Sequence, residues 1–212
     1  VESVAAGHRC AMNLAGVEKE ALARGMMLGD PHLERIAHTV DVSLRLAHGL
    51  KRAPRDRQRL RFHSGTAEAF ARLAWIGAAP DDGAGLAQLR LEQGVPLLYG
   101  DRFILRNESA EVTVGGGVVL DPFATRRAVA QPERRARLQR LQTGDADQAL
   151  QVWLEARGAD GWRVSALAEQ LAQTPESLRE RLAHRTDLMR EELGDDVWIA
   201  LSTATDMLLD RL

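Results

Sequence analysis

The sequence is poor in the residues that build disulfides and aromatic platforms. Its 212 residues contain one cysteine, Cys10, which excludes a disulfide framework and any zinc site built from cysteine pairs within the chain. Cys10 lies in an apolar stretch, so we expect a buried, inert thiol. Aromatic residues make up 4% of the chain, which disfavours a protein that stacks the bases of single-stranded nucleic acid.

Long apolar runs are also lacking. No window approaches the roughly 18 residues of a membrane helix, and no secretion leader opens the chain, so a spanning or secreted protein is disfavoured and the cytoplasm is favoured. Apolar residues make up 45% and charged residues 27%, which is enough for a packed core. Because the first residue is Val1 rather than Met, we expect a fragment of a longer protein.

The motifs of common catalytic sites are missing from the sequence. It contains no GxxxxGK[ST] loop for a nucleoside triphosphate, and its histidines show neither HxxxH nor HExxH spacing. Residues 115–117 are three glycines without the strand-then-helix setting of a dinucleotide site, which indicates a bulge or a close approach of two backbones. We therefore expect no catalytic residue, metal or cofactor in this chain.

Positive charge is balanced overall but clustered locally. The 28 basic and 30 acidic residues give a net charge of -2, and only Lys19 and Lys51 among the basic residues are lysines. Arginine suits phosphate and carboxylate because its guanidinium is a planar fork. Two runs are candidate phosphate contacts, with a solvated loop and a solvated helix face as the alternatives. They are residues 126–140 and residues 51–61, which include Lys51, Arg52, Arg55, Arg57, Arg59 and Arg61.

Up to Pro122, short stretches alternate between apolar and polar residues and are separated by glycine and proline, as is typical of a sandwich or barrel. These stretches are residues 41–46, 59–63, 87–92 and 102–106. Residues 66–75 are rich in helix-forming residues, so helix propensity alone predicts a helix there.

Beyond Phe123 the pattern becomes helical, after a connector at residues 126–140. Asp145, Ser165 and Thr174 are predicted to cap three helices, and a further helix is predicted after residue 202 or 203. A hairpin is predicted over residues 187–201, and residues 162–164 form a short first strand. This combination indicates a winged helix-turn-helix domain.

Two segments of the chain resemble the elongation factor Tu-like translational GTPases, and in particular the selenocysteine-specific elongation factors. Residues 6–28 resemble the closing strands of that family's second domain. Residues 63–122, which contain HSGTAE, LRLE, GDRFILR and TVGGGVVLDP, match the β-barrel of its third domain in order and spacing. The resemblance overrules helix propensity at residues 66–75, which should form a barrel strand.

The resemblance implies a mainly β plus α+β fold, with an elongation factor Tu-like β-barrel followed by a winged helix-turn-helix domain. Residues 1–29 would be C-terminal strands of the second-domain barrel, and residues 30–122 would form the third-domain barrel. Residues 123–142 would connect it to a winged helix at residues 143–212.

The family delivers selenocysteinyl-tRNA to a ribosome paused at a UGA codon, and its tail binds an mRNA hairpin. The resemblance implies that GTP and magnesium belong to a GTPase domain that these residues lack. The winged helices that recognise the hairpin are mostly absent as well. We therefore expect a cytoplasmic tRNA-binding fragment that is not itself an enzyme.

Individual arginines can be matched to the family's pattern. Arg9 resembles an arginine of the aminoacyl pocket, where a fixed cation would favour an ionised selenol over a serine hydroxyl; the alternative is an ion pair with a barrel carboxylate. Arg24 matches an arginine near the 5′ end of the acceptor stem, with a turn-stabilising ion pair as the alternative. The run at residues 51–61 becomes a candidate tRNA contact, because A-form RNA is recognised mainly through its backbone.

Other functions remain open at this stage. A DNA-binding winged-helix regulator with a β ligand domain would need a strongly basic third helix, whereas the predicted helix mixes arginine and glutamate. For this reason a spacer role is favoured for the winged helix. The domains of another elongation factor Tu-like GTPase and a protein-interaction scaffold are the further alternatives.

Overall fold

The computed structural model describes residues 3–5, 7–31, 33, 35–50, 52–80, 83–126, 132–142 and 145–204. Within these residues, six strands close into a barrel, and helices with a three-stranded sheet follow it. No helix of this part of the chain is both long enough and apolar enough to cross a membrane.

The barrel is antiparallel, and its strands are hydrogen-bonded in the order β1-β4-β3-β2-β5-β6, with β6 returning to β1. The strands are β1 (Ala37–Leu46), β2 (Arg59–Ser64), β3 (Ala67–Trp75), β4 (Ala84–Val95), β5 (Arg102–Arg106) and β6 (Thr113–Asp121). The strands predicted from alternation are therefore confirmed. The helix predicted from propensity is wrong, because β2 and β4 flank β3 and supply hydrogen-bond partners along both of its edges.

The barrel interior is filled by the apolar residues of the period-two pattern. Val42, Leu44, Leu60 and Leu73 are completely buried, whereas Ser43 and Arg61, which alternate with buried residues in β1 and β2, are partly exposed. Phe62 stacks on Phe103 with their ring centroids 5.4 Å apart. The alternation that predicted the strands thus also predicted which side chains form the core.

Two glycines in β6 allow its backbone to approach that of β1 and so to close the barrel. A Cβ atom at Gly117 would lie 1.8 Å from the carbonyl oxygen of Ser43, and one at Gly115 would lie 2.4 Å from that of Arg45. The predicted close approach of two backbones is confirmed. No other residue type fits at Gly117 unless one strand moves.

The second unit is a winged helix with an additional helix before it. Its helices are α1 (Pro132–Leu141), α2 (Ala146–Arg157), α3 (Val164–Gln170) and α4 (Pro175–Leu182), and its strands are β7 (Trp162–Arg163), β8 (Leu188–Leu193) and β9 (Asp196–Leu201). The strands pair in the order β7-β9-β8. Asp145 caps α2 through the backbone N–H groups of residues 147 and 148, and Thr174 caps α4. The predicted winged helix is therefore confirmed.

One predicted cap is wrong. Ser165 lies inside the first turn of α3, and the N-cap residue is Arg163, which makes no side-chain cap hydrogen bond. The carboxylate of Asp196 instead accepts hydrogen bonds from the backbone N–H and the hydroxyl of Ser165. A carboxylate that is distant in sequence thus caps the helix, because β9 begins beside it. The last predicted helix falls mainly on residues 205–212, outside the described part of the chain.

The N-terminal segment differs from its prediction. Between residues 3 and 29, the described residues form no strand and only one short 3-10 turn, Lys19–Ala21. The expected second-domain strands are not seen here, because no described strand pairs with this segment and a strand needs a hydrogen-bonding neighbour. Cys10 is exposed, so the prediction of a buried thiol is wrong. No described strand packs over this segment to cover the side chain.

The barrel and the winged helix share one apolar cluster. Ile76, Leu86 and Leu120 of the barrel pack with Leu138 and Leu141 of α1, and the cluster continues into the interior of the winged helix. Residues 126–140 were predicted to become helical and do so at α1. The prediction that this helix is solvated is only partly correct, because one side of α1 is buried against the barrel and the winged helix.

A buried ion pair fixes α1 to the barrel. Arg134 donates to Asp41 with its Nε at 2.7 Å and its Nη2 at 2.5 Å, and Asp41 and Arg134 are 0% and 5% exposed. Gln88 donates to the same carboxylate and to the carbonyl of Thr125. Burial raises the pKa of Asp41 to about 6, while the hydrogen bond from Arg134 acts in the opposite direction. The carboxylate therefore depends on Arg134 to remain ionised.

A second buried carboxylate lies beside the first. Asp121 accepts a hydrogen bond of 2.9 Å from Gln170 of α3 and lies 3.8 Å from Arg137 of α1. Tyr99 of the barrel donates to the carbonyl of Leu141 at 3.0 Å. These polar contacts join α1 and α3 to the barrel and set the orientation of the two units, since each buried group has its partner on the other side.

We expect Arg134→Met to destabilise the protein by about 3–5 kcal/mol, because it leaves the buried Asp41 carboxylate without its cation. Loss of Arg134 raises the Asp41 pKa further, so the folded state binds a proton that the unfolded chain releases, and the loss should be larger at pH 8 than at pH 5. Urea unfolding at both pH values measures this. The exposed neighbour Arg135→Met should change stability little, and equal losses for both variants would contradict the expectation.

We expect Gly117→Ala to open the seam between β1 and β6 and to cost about 3 kcal/mol or more, because the new Cβ overlaps the carbonyl of Ser43. Thermal unfolding measures this loss. Gly29→Ala is the matched control, because a Cβ at Gly29 would meet only a side-chain carbon of Leu33 at 3.9 Å. Similar melting temperatures for the two variants would show that the seam tolerates a side chain.

Candidate nucleic-acid interface

The two arginines predicted in the N-terminal segment lie on the surface. Arg9 is exposed, and among the described residues its guanidinium forms no ion pair or hydrogen bond. The alternative ion pair with a barrel carboxylate is therefore not seen in this part of the chain. Arg24 is exposed in a turn beside Gly25, where a Cβ atom would lie 3.2 Å from the Cα of Ala67 at the start of β3.

Arg24 and Arg61 face the same carboxylate. Glu68 at the beginning of β3 pairs with Arg61 and lies 3.8 Å from Nδ1 of His63. The hydrogen bond from Arg61 lowers the pKa of Glu68, and the charge of Arg24 contributes to the same shift. A groove of about 540 Å³, lined by Arg24 and Glu68 among others, opens here. The structure thus brings two predicted tRNA residues together.

The predicted cationic run at residues 51–61 divides into a loop and a strand. Arg52, Arg55 and Arg57 are exposed in the loop that precedes β2, and Lys51 lies outside the described residues. Two hydrogen bonds from Trp75 hold this loop, with its indole N–H donating to the carbonyl of Pro54 at 2.9 Å and its backbone N–H to Asp56 at 2.8 Å. The loop is therefore anchored to β3.

Arg59 and Arg61 lie on the outer face of β2, but both already bind carboxylate or carbonyl oxygens of neighbouring residues. Arg59 donates to both oxygens of Glu92 at 2.9 and 2.7 Å, pairs with Glu108 and lies 3.5 Å above the ring of Phe70. These carboxylates raise the pKa of Arg59, and Arg59 in turn lowers that of Glu92. Within the run at residues 51–61, the two arginines of β2 are therefore paired and are not free cations.

Two outward arginines were not among the predicted site residues. Arg72 of β3 and Arg90 of β4 lie in register with Arg59, since Arg59 is the cross-strand partner of Arg72 and Arg72 that of Arg90. Arg57, Arg72 and Arg90 line a groove of about 390 Å³. The alternation at residues 87–92 placed Arg90 outward, but only the strand order β2-β3-β4 brings these side chains together.

The arginines of α4 and of the turn that follows it are engaged within the winged helix. Each binds an acceptor of this domain: Arg179 the carbonyl of Asp195 at 3.1 Å, Arg181 the carboxylate of Asp147 at 2.5 Å, and Arg185 that of Asp187 at 2.6 Å. A recognition helix that reads DNA needs free cations on its exposed face. The geometry therefore does not favour the DNA-binding regulator.

Across the described residues, no cluster of three metal-ligating side chains is present.

We expect Trp75→Phe to loosen the loop at residues 52–58, because it removes the indole hydrogen bond to Pro54, at a cost of about 1 kcal/mol. Limited trypsin digestion should then cleave sooner after Arg55 and Arg57. Trp153→Phe is the control, since the indole N–H of Trp153 has no partner among the described residues. Unchanged cleavage in Trp75→Phe would show that other contacts hold the loop.

Comparison with known proteins assigns the barrel. The sequence model of a family described as "Selenocysteine-specific elongation factor, beta-barrel domain" matches residues 37–126. The selenocysteine-specific elongation factor of Desulfomicrobium baculatum is 29% identical over 169 residues, which are 78% of this chain and 26% of that protein.

The fold has a counterpart among solved structures. The crystal structure of a bacterial selenocysteine-specific elongation factor, EF-Sec, superimposes with a TM-score of 0.64 over 92% of this chain and 29% of that chain, at 16% sequence identity. The chain therefore spans between a quarter and a third of the length of these relatives. The resemblance found in the sequence is confirmed: the chain is similar to the selenocysteine-specific elongation factors, and residues 37–126 match the sequence model of that family's beta-barrel domain.

Proposed function

We propose that this chain is the part of a selenocysteine-specific elongation factor that holds selenocysteinyl-tRNA, and that it acts by binding rather than by catalysis. The observation that carries this function is the match of residues 37–126 to the barrel domain of these factors. The exposed arginines on one side of that barrel support it, because they suit a phosphate backbone.

The tRNA is held through its backbone. Duplex RNA is recognised mainly by contacts to phosphates and 2′-hydroxyls, for which exposed guanidinium groups suffice. Arg52, Arg55 and Arg57 supply such groups from an anchored loop, and Lys51 adjoins them in sequence. Arg24 supplies another for the 5′ end of the acceptor stem, while Arg59 and Arg61 contribute mainly by ordering neighbouring carboxylates.

Arg9 is the candidate for the aminoacyl pocket. A selenol is more acidic than a hydroxyl and is ionised at neutral pH, so a nearby guanidinium stabilises selenocysteine but gains nothing from serine. The exposed guanidinium of Arg9 is free for such a contact within the described part of the chain. A preference of this kind supplies a few kcal/mol of discrimination.

The remaining parts of the reaction lie elsewhere in a longer protein. GTP and magnesium would be bound by a GTPase domain, and the 212 residues contain no phosphate-binding loop motif. The winged helix serves as a spacer toward the ribosome and the mRNA hairpin, because the arginines of α4 are engaged internally. Such a factor works in the cytoplasm, where translation takes place.

The test is filter binding of the 212-residue protein to selenocysteinyl-tRNA, seryl-tRNA of the same tRNA body, and uncharged tRNA at several salt concentrations. We expect binding of all three to weaken linearly in log–log form with rising salt, because phosphate contacts release counterions. Selenocysteinyl-tRNA should bind most tightly. No binding of any tRNA at low salt would contradict the function.

We expect Arg9→Ala to remove the preference for the selenocysteinyl form while retaining the salt-dependent affinity for uncharged tRNA. Arg163→Ala, which removes an exposed cation of β7, should leave the preference intact. If Arg9→Ala keeps the full preference, Arg9 is not the pocket residue.

A further inference from the structure

The winged helix contacts the segment that enters the barrel. Glu169, near the end of α3, is 7% exposed, and its Oε1 accepts a hydrogen bond of 2.9 Å from the backbone N–H of Arg35. Its Oε2 lies 3.5 Å from Nη1 of the same arginine. Arg35 lies just before β1 and is 134 residues away from Glu169 in sequence. The contact therefore joins the winged helix to the main chain that leads into the barrel.

The burial of Glu169 makes this contact specific for one position of the main chain. Removing a carboxylate from water is costly unless charged and hydrogen-bonding partners replace the solvent. The guanidinium of Arg35 supplies the charge, and its backbone N–H supplies a donor that side-chain rotation cannot move. Because that donor belongs to the main chain, Glu169 has both partners only when the backbone at Arg35 lies against α3.

Neighbouring contacts close a ring around this pair. The guanidinium of Arg35 lies 3.6 Å above the ring of Phe123, and the backbone N–H of Phe123 donates to Asp121 at 3.1 Å. Asp121 also accepts the hydrogen bond of 2.9 Å from Gln170, the residue after Glu169. The end of α3 thus holds both the segment that enters the barrel and the segment that leaves it.

The entering segment also lies on the barrel. A Cβ atom at Gly94 of β4 would lie 2.3 Å from Cγ2 of Ile36, so a side chain there would displace Ile36. Residues 24–30 and residues 94–96 both line the groove of about 540 Å³. Arg24 therefore belongs to a stretch of chain that rests on the barrel and is held by α3 at its C-terminal end.

We propose that Glu169 is a positioning residue for tRNA binding, which holds Arg35 and thereby fixes the main chain that leads back to Arg24. Ordering a binding segment before the ligand arrives raises affinity, because less conformational entropy is lost on binding. This role rests on the proposed function. It gives the winged helix an effect on tRNA affinity that needs no contact between the winged helix and the tRNA.

Amide hydrogen exchange of the 212-residue protein, followed by NMR, tests the hold on Arg35 without tRNA. We expect Glu169→Ala to lower the protection factor of the Arg35 amide by about tenfold, because it removes a hydrogen bond to a charged acceptor. Trypsin should also cleave sooner after Arg24. Glu176→Ala is the matched control, since it removes an exposed carboxylate of α4 that lies 3.7 Å from Arg179, and it should change neither readout.

Two milder variants keep the test informative if Glu169→Ala does not fold. Glu169→Gln retains an oxygen that accepts the Arg35 N–H, and Arg35→Gln retains the backbone donor, so each should lower the protection factor less than Glu169→Ala does. If Arg35→Gln has the largest effect, the contact with Phe123 holds the segment and the assignment of Glu169 is overturned. The assignment also falls if Glu169→Ala accelerates exchange throughout the winged helix and leaves cleavage after Arg24 unchanged, as a purely structural role would.

Filter binding of uncharged tRNA measures the consequence for affinity. We expect Glu169→Ala to weaken binding severalfold and to leave the salt slope unchanged, because it removes no cation. Arg24→Gln should instead reduce the slope by about one, and Glu176→Ala should bind like the unmodified protein.

The outcomes separate the positioning role from the proposed function. If the unmodified protein binds tRNA and Glu169→Ala binds it equally well, the positioning role is overturned and the proposed function stands. If the unmodified protein binds no tRNA at low salt, the proposed function falls, and the role of Glu169 in tRNA binding falls with it.

Discussion

Closure of the barrel between β1 and β6 is the constraint on which the rest of the structure depends. The backbones approach so closely at Gly117 that a side chain would overlap Ser43. This closure fixes β1, and β1 carries Asp41, the buried anchor of α1. The same closure fixes the order of the other strands, and therefore which outward residues become neighbours. One steric requirement in β6 thus governs both the domain junction and the candidate interface.

The junction joins two units through apolar packing and through paired buried charges. Apolar contacts supply the attraction, but they are not directional. Asp41 and Arg134 supply the direction, because a buried carboxylate and a buried guanidinium tolerate each other only in one geometry. The winged helix is consequently held in a defined orientation on the barrel.

Some arginines of this chain bind partners within the fold, and others are exposed to solvent. Arg134 is buried with its partner, Arg59 and Arg61 are bound by neighbouring carboxylates, and those of α4 bind acceptors of their own domain. Others, Arg9 and Arg57 among them, are exposed and form no ion pair within the described residues. Net charge near zero is therefore compatible with a local cationic site, because the compensating carboxylates are not evenly distributed.

The sequence by itself determined the strands of the barrel, its inward residues and the winged helix, because hydrophobic periodicity and helix caps are local signals. It also indicated the similarity to the selenocysteine-specific elongation factors, through residues 6–28 and 63–122. It missed the strand at residues 67–75 when propensity was used alone, the carboxylate cap on Ser165, and the grouping of Arg57 with Arg72 and Arg90. Each of these depends on which segments lie side by side. Only the tertiary structure decides this, since strand order and domain docking bring together residues that no local pattern connects.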